Sequence, residues 1–314
     1  MRLITAQRRP SPARVTEPER DPLAVGLVQT RWHADADEHQ RVLAEGIELA
    51  AGAGARVVCL PELTLSRYPA DTLPEGDAAA TAEDLETGPT YTFAAKAAAD
   101  AGVAVHASLF EWADGPDGRG YNTAILVAPD GTLLGRTRKL HIPKTAGYYE
   151  DRYFRGGPAG GDAYPVVELP GTLTPTGARF GLPTCWDQWF PEVARAYSLG
   201  GAEVLVYPTA IGSEPDHPDF DTQPLWRQVI IGNGIANGTF MVVPNRWGDE
   251  GVISFYGSSF ISDPYGRVLA SAPRDADAVL VAPLDLDQRR DWLDLFPFLQ
   301  TRRPDTYGAL TEED

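Results

Sequence analysis

Short apolar runs alternate with helix-spaced segments along most of the chain, and this alternation restricts the fold more than any other feature. LAVGLVQ is apolar enough for a strand covered on both faces, and ARVVCLPE (55–62) reads the same way. Between them EHQRVLAEGIELAAGAG (38–54) places apolar residues three and four apart and stops in glycines, the pattern of a helix. Strand, helix and strand in this order make a βαβ unit, with the helix on the face of a sheet.

The pattern recurs. A helix is expected over 91–101, a strand over 102–111, and a hairpin turning at Asp130-Gly131. Beyond a Gly/Pro-rich stretch at 155–165, the alternation predicts strands at 164–169 and 178–184, a helix at 191–199 and a strand at 203–209. A helix at 224–237, a strand at 239–246, a hairpin at Pro264 to Gly266 and a last strand in AVLVAPLDL complete it. No linker and no internal repeat interrupts the run. The expectation is one α/β domain over 23–290 with two sheets and outer helices, preceded by a flexible extension (1–22) and followed by a polar tail (291–314).

Basic residues number 27 against 44 acidic ones, a formal charge of −17. Nucleic-acid binding requires a basic stripe, so no nucleic-acid partner is expected, while an acidic surface favours small cations. No apolar stretch reaches the roughly 20 residues needed to span a bilayer, and no membrane partner is expected. The opening arginines and prolines are followed by no apolar segment of the kind a secretory signal carries. The chain therefore reads as cytoplasmic, where Cys59 and Cys185 are expected as free thiols.

Cys185 stands in GLPTCWDQWFPE (181–192), between a strand and the start of a helix. Backbone N–H groups at such a turn favour a thiolate, but a cysteine in an apolar context is also a common core residue, and position alone does not choose. Of the histidines, His33, His39, His106, His141 and His217, only His141 lies near another candidate, two residues after Lys139. The spacing of His33, Asp35, Asp37 and His39 reads as a solvated loop, and no metal site is expected. No G-x-S-x-G elbow, Walker loop or dinucleotide fingerprint is present. What remains are polar residues at strand ends, where α/β sheets place their sites: Glu62 after VVCLP, Lys139 in RTRKLHIP and Glu150 in GYYEDRYF. Taken singly, each reads as a surface or ion-pair residue.

Together, LPEL, RKLHIP, GYYEDRYF and CWDQWFPE resemble, in order and spacing, the motifs of the nitrilase superfamily of carbon-nitrogen hydrolases. The likeness continues through NRWG (245–248), FYGSSFISDPYG (255–266) and RRPDTYG (302–308), and is greatest to the N-carbamoylputrescine amidohydrolase branch. The resemblance implies a four-layer αββα sandwich, no cofactor, and a homodimer or larger homo-oligomer with the C-terminal tail at a subunit contact. It also implies that Cys185 is the nucleophile, Glu62 the general base and acid, and Lys139 with the Trp186 N–H the oxyanion donors, with Glu150 supporting the lysine.

The implied reaction is cleavage of a linear N-carbamoyl amine or carboxamide through a covalent acyl or carbamoyl cysteine, with release of ammonia. Branches that take carbamoyl amino acids place arginines just after the cysteine, whereas Asp187 and Gln188 stand there in this chain. Asp187, Trp189, Tyr148 and Tyr149 are therefore expected to bind a cationic substrate. A nitrilase, an N-carbamoyl amino acid or β-ureido acid amidohydrolase, and an inactive binding protein of the same fold are the alternatives.

Overall fold

The computed structural model describes residues 1–312. Two mixed sheets lie face to face. The first runs, in spatial order, Arg2–Thr5, Ala278–Leu284, Leu23–Gln29, Val57–Cys59, Ala104–Glu111, Tyr121–Val127 and Leu133–Arg138. The second runs Val268–Ser271, Phe260–Ser262, Phe240–Val243, Val204–Val206, Arg179–Gly181 and Val166–Glu168. The βαβ expectation holds for Leu23–Gln29, Val57–Cys59 and Ala104–Glu111, which are successive parallel neighbours, and both expected hairpins pair antiparallel.

Side-chain alternation sorts the residues into layers. Along Leu23–Gln29, Leu23, Val25 and Leu27 join Phe180, Val204, Val206 and Val242 of the other sheet in the central core. Val28 points the other way, to Leu43, Ile47 and Ala50 of the Ala36–Gly52 helix. Each fully buried Leu or Val contributes roughly 1.5–3 kcal/mol of transfer free energy. Asp35 caps that helix through the Glu38 N–H at 2.8 Å, so this residue of the His/Asp cluster has a structural task. Gly26 permits the helix to close on the sheet, because a Cβ there would sit 2.9 Å from that of Ala50. Pro191–Leu199 and Gln223–Asn237 cover the outer face of the second sheet through Tyr197, Trp226 and Ile230. The fold is a four-layer αββα sandwich. Cys59 lies in the central core with its thiol pushed up by burial.

The N-terminal stretch departs from expectation, being packed rather than flexible. Arg2–Thr5 adds a parallel strand to Ala278–Leu284, and three arginines then fasten the chain to the acidic segment that follows that strand. Arg8 and Arg14 reach Asp285, Arg14 also reaches Asp291, and Arg20 bridges Asp287 and Glu203. At the other end the helix Asp287–Leu295 crosses the expected boundary at 290, and Trp292 packs edge-on to Tyr265 and Phe296. Residues 313 and 314 of the expected tail lie outside the described residues. No helix among the described residues is long and apolar enough to cross a membrane.

Asp285 is 1% exposed, and these arginines are its charged partners. Arg14→Ala should cost up to roughly 3 kcal/mol, with Arg8 limiting the loss, and calorimetric unfolding at low and high salt will measure it.

Candidate active site

The candidate residues converge at strand ends. Glu62 follows Val57–Cys59, Lys139 follows Leu133–Arg138, and Cys185 follows Arg179–Gly181. Glu150 opens a short turn, Glu150–Arg152, that packs beside them. Lys139 and Glu62 are fully buried, and the Lys139 ammonium donates to Glu62 Oε1 at 2.9 Å and Glu150 Oε2 at 2.6 Å. Glu62 also accepts the Asn122 side-chain amide at 2.7 Å and the Ala210 N–H at 2.8 Å. Glu150 accepts the Tyr68 hydroxyl at 2.8 Å.

Electrostatics follow from this packing. Burial pulls the Lys139 ammonium toward neutrality, but Glu150 and Glu62 together outweigh it, and the lysine stays charged. Burial pushes Glu150 up from the ordinary 4.5 to about 7; Lys139 opposes the shift and the Glu62 charge adds to it. Burial likewise raises the Cys185 thiol, with the Glu62 charge adding to the rise and Lys139 opposing it. At rest Cys185 is a thiol.

Two strained residues shape the site. Cys185 has φ of 35° and Leu63, next to Glu62, has φ of 49°, a region that side chains other than glycine's rarely adopt. The Cys185 N–H is fixed to Pro208 O at 3.0 Å, and among the described residues no acceptor takes the Trp186 N–H. That free donor beside the sulfur suits an oxyanion. Leu63 is held by Arg246, whose guanidinium donates to the carbonyls of Glu62, Leu63 and Ser66 at 2.7, 3.1 and 3.1 Å. Glu250 pairs with Arg246 at 2.7 Å and takes the Tyr68 N–H at 2.8 Å, which closes the clamp on the loop.

A cavity of about 220 Å³ opens onto Cys185 and Glu150. Tyr148 and Trp189, both expected as substrate-binding residues, line it, as does Trp186. Asp187 and Tyr149 do not. The Asp187 carboxylate is buried and turned away, accepting the Thr184 N–H at 3.1 Å, the His141 N–H at 3.0 Å and the His141 ring at 2.8 Å. It ties the turn at Cys185 to the chain just past Lys139. The Tyr149 N–H donates to Ala70 O at 2.8 Å. No histidine lines the cavity. His141 instead stacks on Phe190, with ring centres 3.6 Å apart.

The sequence reading missed five other residues that line the cavity. Ile211, Glu214, Phe220, Thr222 and Leu225 come from the segment after Val204–Val206. A carboxylate a few residues beyond a buried strand was the signal for Glu214, as it was for Glu62.

Residues 24–294 match the carbon-nitrogen hydrolase family. The chain belongs to that family. As a carbon-nitrogen hydrolase it is an enzyme that hydrolyses amides. It is 36% identical to an N-carbamoylputrescine amidase of Arabidopsis thaliana, an alignment covering 95% of this chain and 98% of that protein. It is 35% identical to a citrullinase of Francisella tularensis, over 93% of this chain and 99% of that one. Among solved structures, a carbon-nitrogen hydrolase from Helicobacter pylori G27 superposes with a TM-score of 0.77 at 29% identity, covering 93% of this chain and 99% of that one.

The Glu150 shift gives this hydrolase a stability signature. A carboxyl held above its ordinary value contributes stability at low pH that is lost as pH rises through about 7. Glu150→Gln, which cannot ionise, should therefore gain in Tm relative to the parent between roughly pH 5 and pH 8, while kcat falls more than KM. A difference in Tm that stays constant with pH would contradict this account of Glu150.

Proposed function

We propose that this hydrolase cleaves a linear N-carbamoyl amine, a ureido compound whose far end carries a cationic amine. The observation that carries the reading is Glu214. It is a half-buried carboxylate among the apolar walls of the Cys185 cavity, and no Arg, Lys or His lines that cavity. Burial pushes the Glu214 carboxyl up, against the Thr222 hydroxyl bonded to it at 3.3 Å. An incoming ammonium offsets that desolvation, whereas a substrate carboxylate would meet repulsion and find no partner. A ureido amino acid presents a carboxylate beside its ammonium, so the cavity favours the simple amine. The name of the Arabidopsis relative points to the same class. Glu214 takes over the cation-binding task expected of Asp187.

Glu62 accepts the Cys185 proton as the sulfur attacks the carbamoyl carbon, and Lys139 with the Trp186 N–H stabilises the oxyanion. Collapse breaks the C–N bond, Glu62 returns the proton to the departing nitrogen, and ammonia leaves a carbamoyl cysteine. Glu62 next takes a proton from water as it attacks, the C–S bond breaks, and sulfur recovers the proton. The released carbamate decomposes to carbon dioxide and the amine. Two free thiols suit the reducing cytoplasm.

Ammonia release from N-carbamoyl amines, N-carbamoyl amino acids, simple amides and nitriles tests the reading, with Cys185→Ala as the blank. Turnover should be greatest on cationic carbamoyl amines and absent in the blank. Glu214→Gln should raise KM for them roughly ten- to hundredfold while leaving uncharged carbamoyl compounds nearly unaffected. Preference for carboxylate-bearing substrates or nitriles would sink the proposed substrate class.

A further inference from the structure

Asn122 donates to Glu62, and the acid-base steps above give it no task. It is fully buried in Tyr121–Val127, opposite Phe110 of the neighbouring strand. Its main-chain carbonyl accepts the Lys139 N–H at 2.8 Å, and its Nδ2 donates to Glu62 Oε1 at 2.7 Å. The other end of the amide, Oδ1, accepts the Ser108 hydroxyl at 3.2 Å. Ser108 Oγ in turn accepts the Leu63 N–H at 3.1 Å.

These bonds have only one consistent direction. A hydroxyl carries one proton, and with Leu63 donating to Ser108, that proton goes to Asn122 Oδ1. A flipped amide would set Oδ1 against the Glu62 carboxylate, acceptor against acceptor. The donors therefore run from Leu63 through Ser108 and Asn122 to Glu62. On the carboxylate, Oε1 carries two donors, Asn122 and Lys139, while Oε2 carries only the Ala210 N–H.

We propose that Asn122, oriented by Ser108, is a positioning residue for the general base. It holds Oε1 as the anionic end and leaves Oε2 as the oxygen that takes the proton. The idea rests on Glu62 acting as the base. In that step the S–H bond of Cys185 breaks, an O–H bond forms at Oε2, and the sulfur electron pair makes the S–C bond. No further reactant is consumed.

The titratable groups facing Glu62 are Lys139, Glu150 and Cys185, each from a different strand end or turn, with Tyr68 behind Glu150. Arg246 faces it too, through the Glu62 main-chain oxygen. Asn122 is uncharged at every working pH and acts on this set only through its hydrogen bond. Removing a donor from a carboxylate favours its protonated form, which cannot serve as a base.

Two pH profiles test the assignment in Asn122→Ala and Ser108→Ala. One is kcat/KM for ammonia release; the other is the rate of Cys185 alkylation by iodoacetamide without substrate. Asn122→Ala should lower kcat roughly ten- to hundredfold with KM changed less than about twofold. It should also move the acid limb of both profiles about one pH unit upward. Ser108→Ala should shift them the same way by less, and it carries the test if Asn122→Ala does not fold. Acid limbs that stay in place in a folded variant would overturn the proposal, whatever happens to the rate. If the parent releases ammonia from no carbamoyl or amide compound, the proposed substrate class fails, while the alkylation profile still judges Asn122.

Discussion

Two carboxylates share one ammonium in the interior, and the rest of the structure is arranged around that imbalance. Glu62, Lys139 and Glu150 are removed from water, a transfer that costs several kcal/mol for each ion before any compensation. Compensation comes from donors fixed in place: the Asn122 amide, the Ala210 N–H and the Tyr68 hydroxyl, besides the lysine itself. One cation does not fully neutralise two anions, so the cluster has an appetite for one more proton. That appetite shows at Glu150, whose carboxyl burial pushes up to about 7. The arrangement that makes the cluster costly is thus the one that lets it take up a proton near neutral pH.

Such a cluster tolerates little displacement, and that accounts for the scaffold around it. Glu62 and Lys139 follow strands of the first sheet and Cys185 follows one of the second, so the central core of Leu27, Phe180, Val206 and their neighbours fixes their separation. Where the chain must leave a strand sharply, a buried polar group holds it. Arg246 with Glu250 braces the Leu63 turn, and Asp187 braces the turn that starts at Cys185. Both turns contain a residue at positive φ, worth of order 1–3 kcal/mol of strain each, and neither would persist without its brace.

This explains which parts of the molecule could be read in advance. Strands and helices were visible because burial on one or both faces writes itself as periodicity, as in Leu23–Gln29 and Ala36–Gly52. The N-terminal stretch was misread because the arginines that order it pair with Asp285, Asp287 and Asp291, more than 250 residues away. Asp187 was misread for the opposite reason. A charge two residues from a nucleophile looks like a ligand, and only the fold reveals that its oxygens are spent on Thr184 and His141. Adjacent tyrosines 148 and 149 diverge because consecutive side chains leave a turn in different directions, and the sequence does not say which faces the cavity. Glu214 was lost among Asp216, Asp219 and Asp221, neighbours of the same charge.

The residues at and around the cavity differ in how firmly the fold holds them. Cys185, Glu62 and Lys139 stand at strand ends that the core and the braces hold in place. Glu214 and Phe220 belong instead to the stretch between Val204–Val206 and the helix Gln223–Asn237, and Leu225 to the first turn of that helix, with Phe220 and Leu225 about half exposed. A change of residue there costs little core packing and leaves the ionic cluster intact, but it alters the far end of any bound molecule. The buried polar cluster can therefore stay fixed while that end of the cavity varies. On the function proposed above, the strand-end residues meet the carbonyl and the Glu214 carboxylate meets a cationic tail.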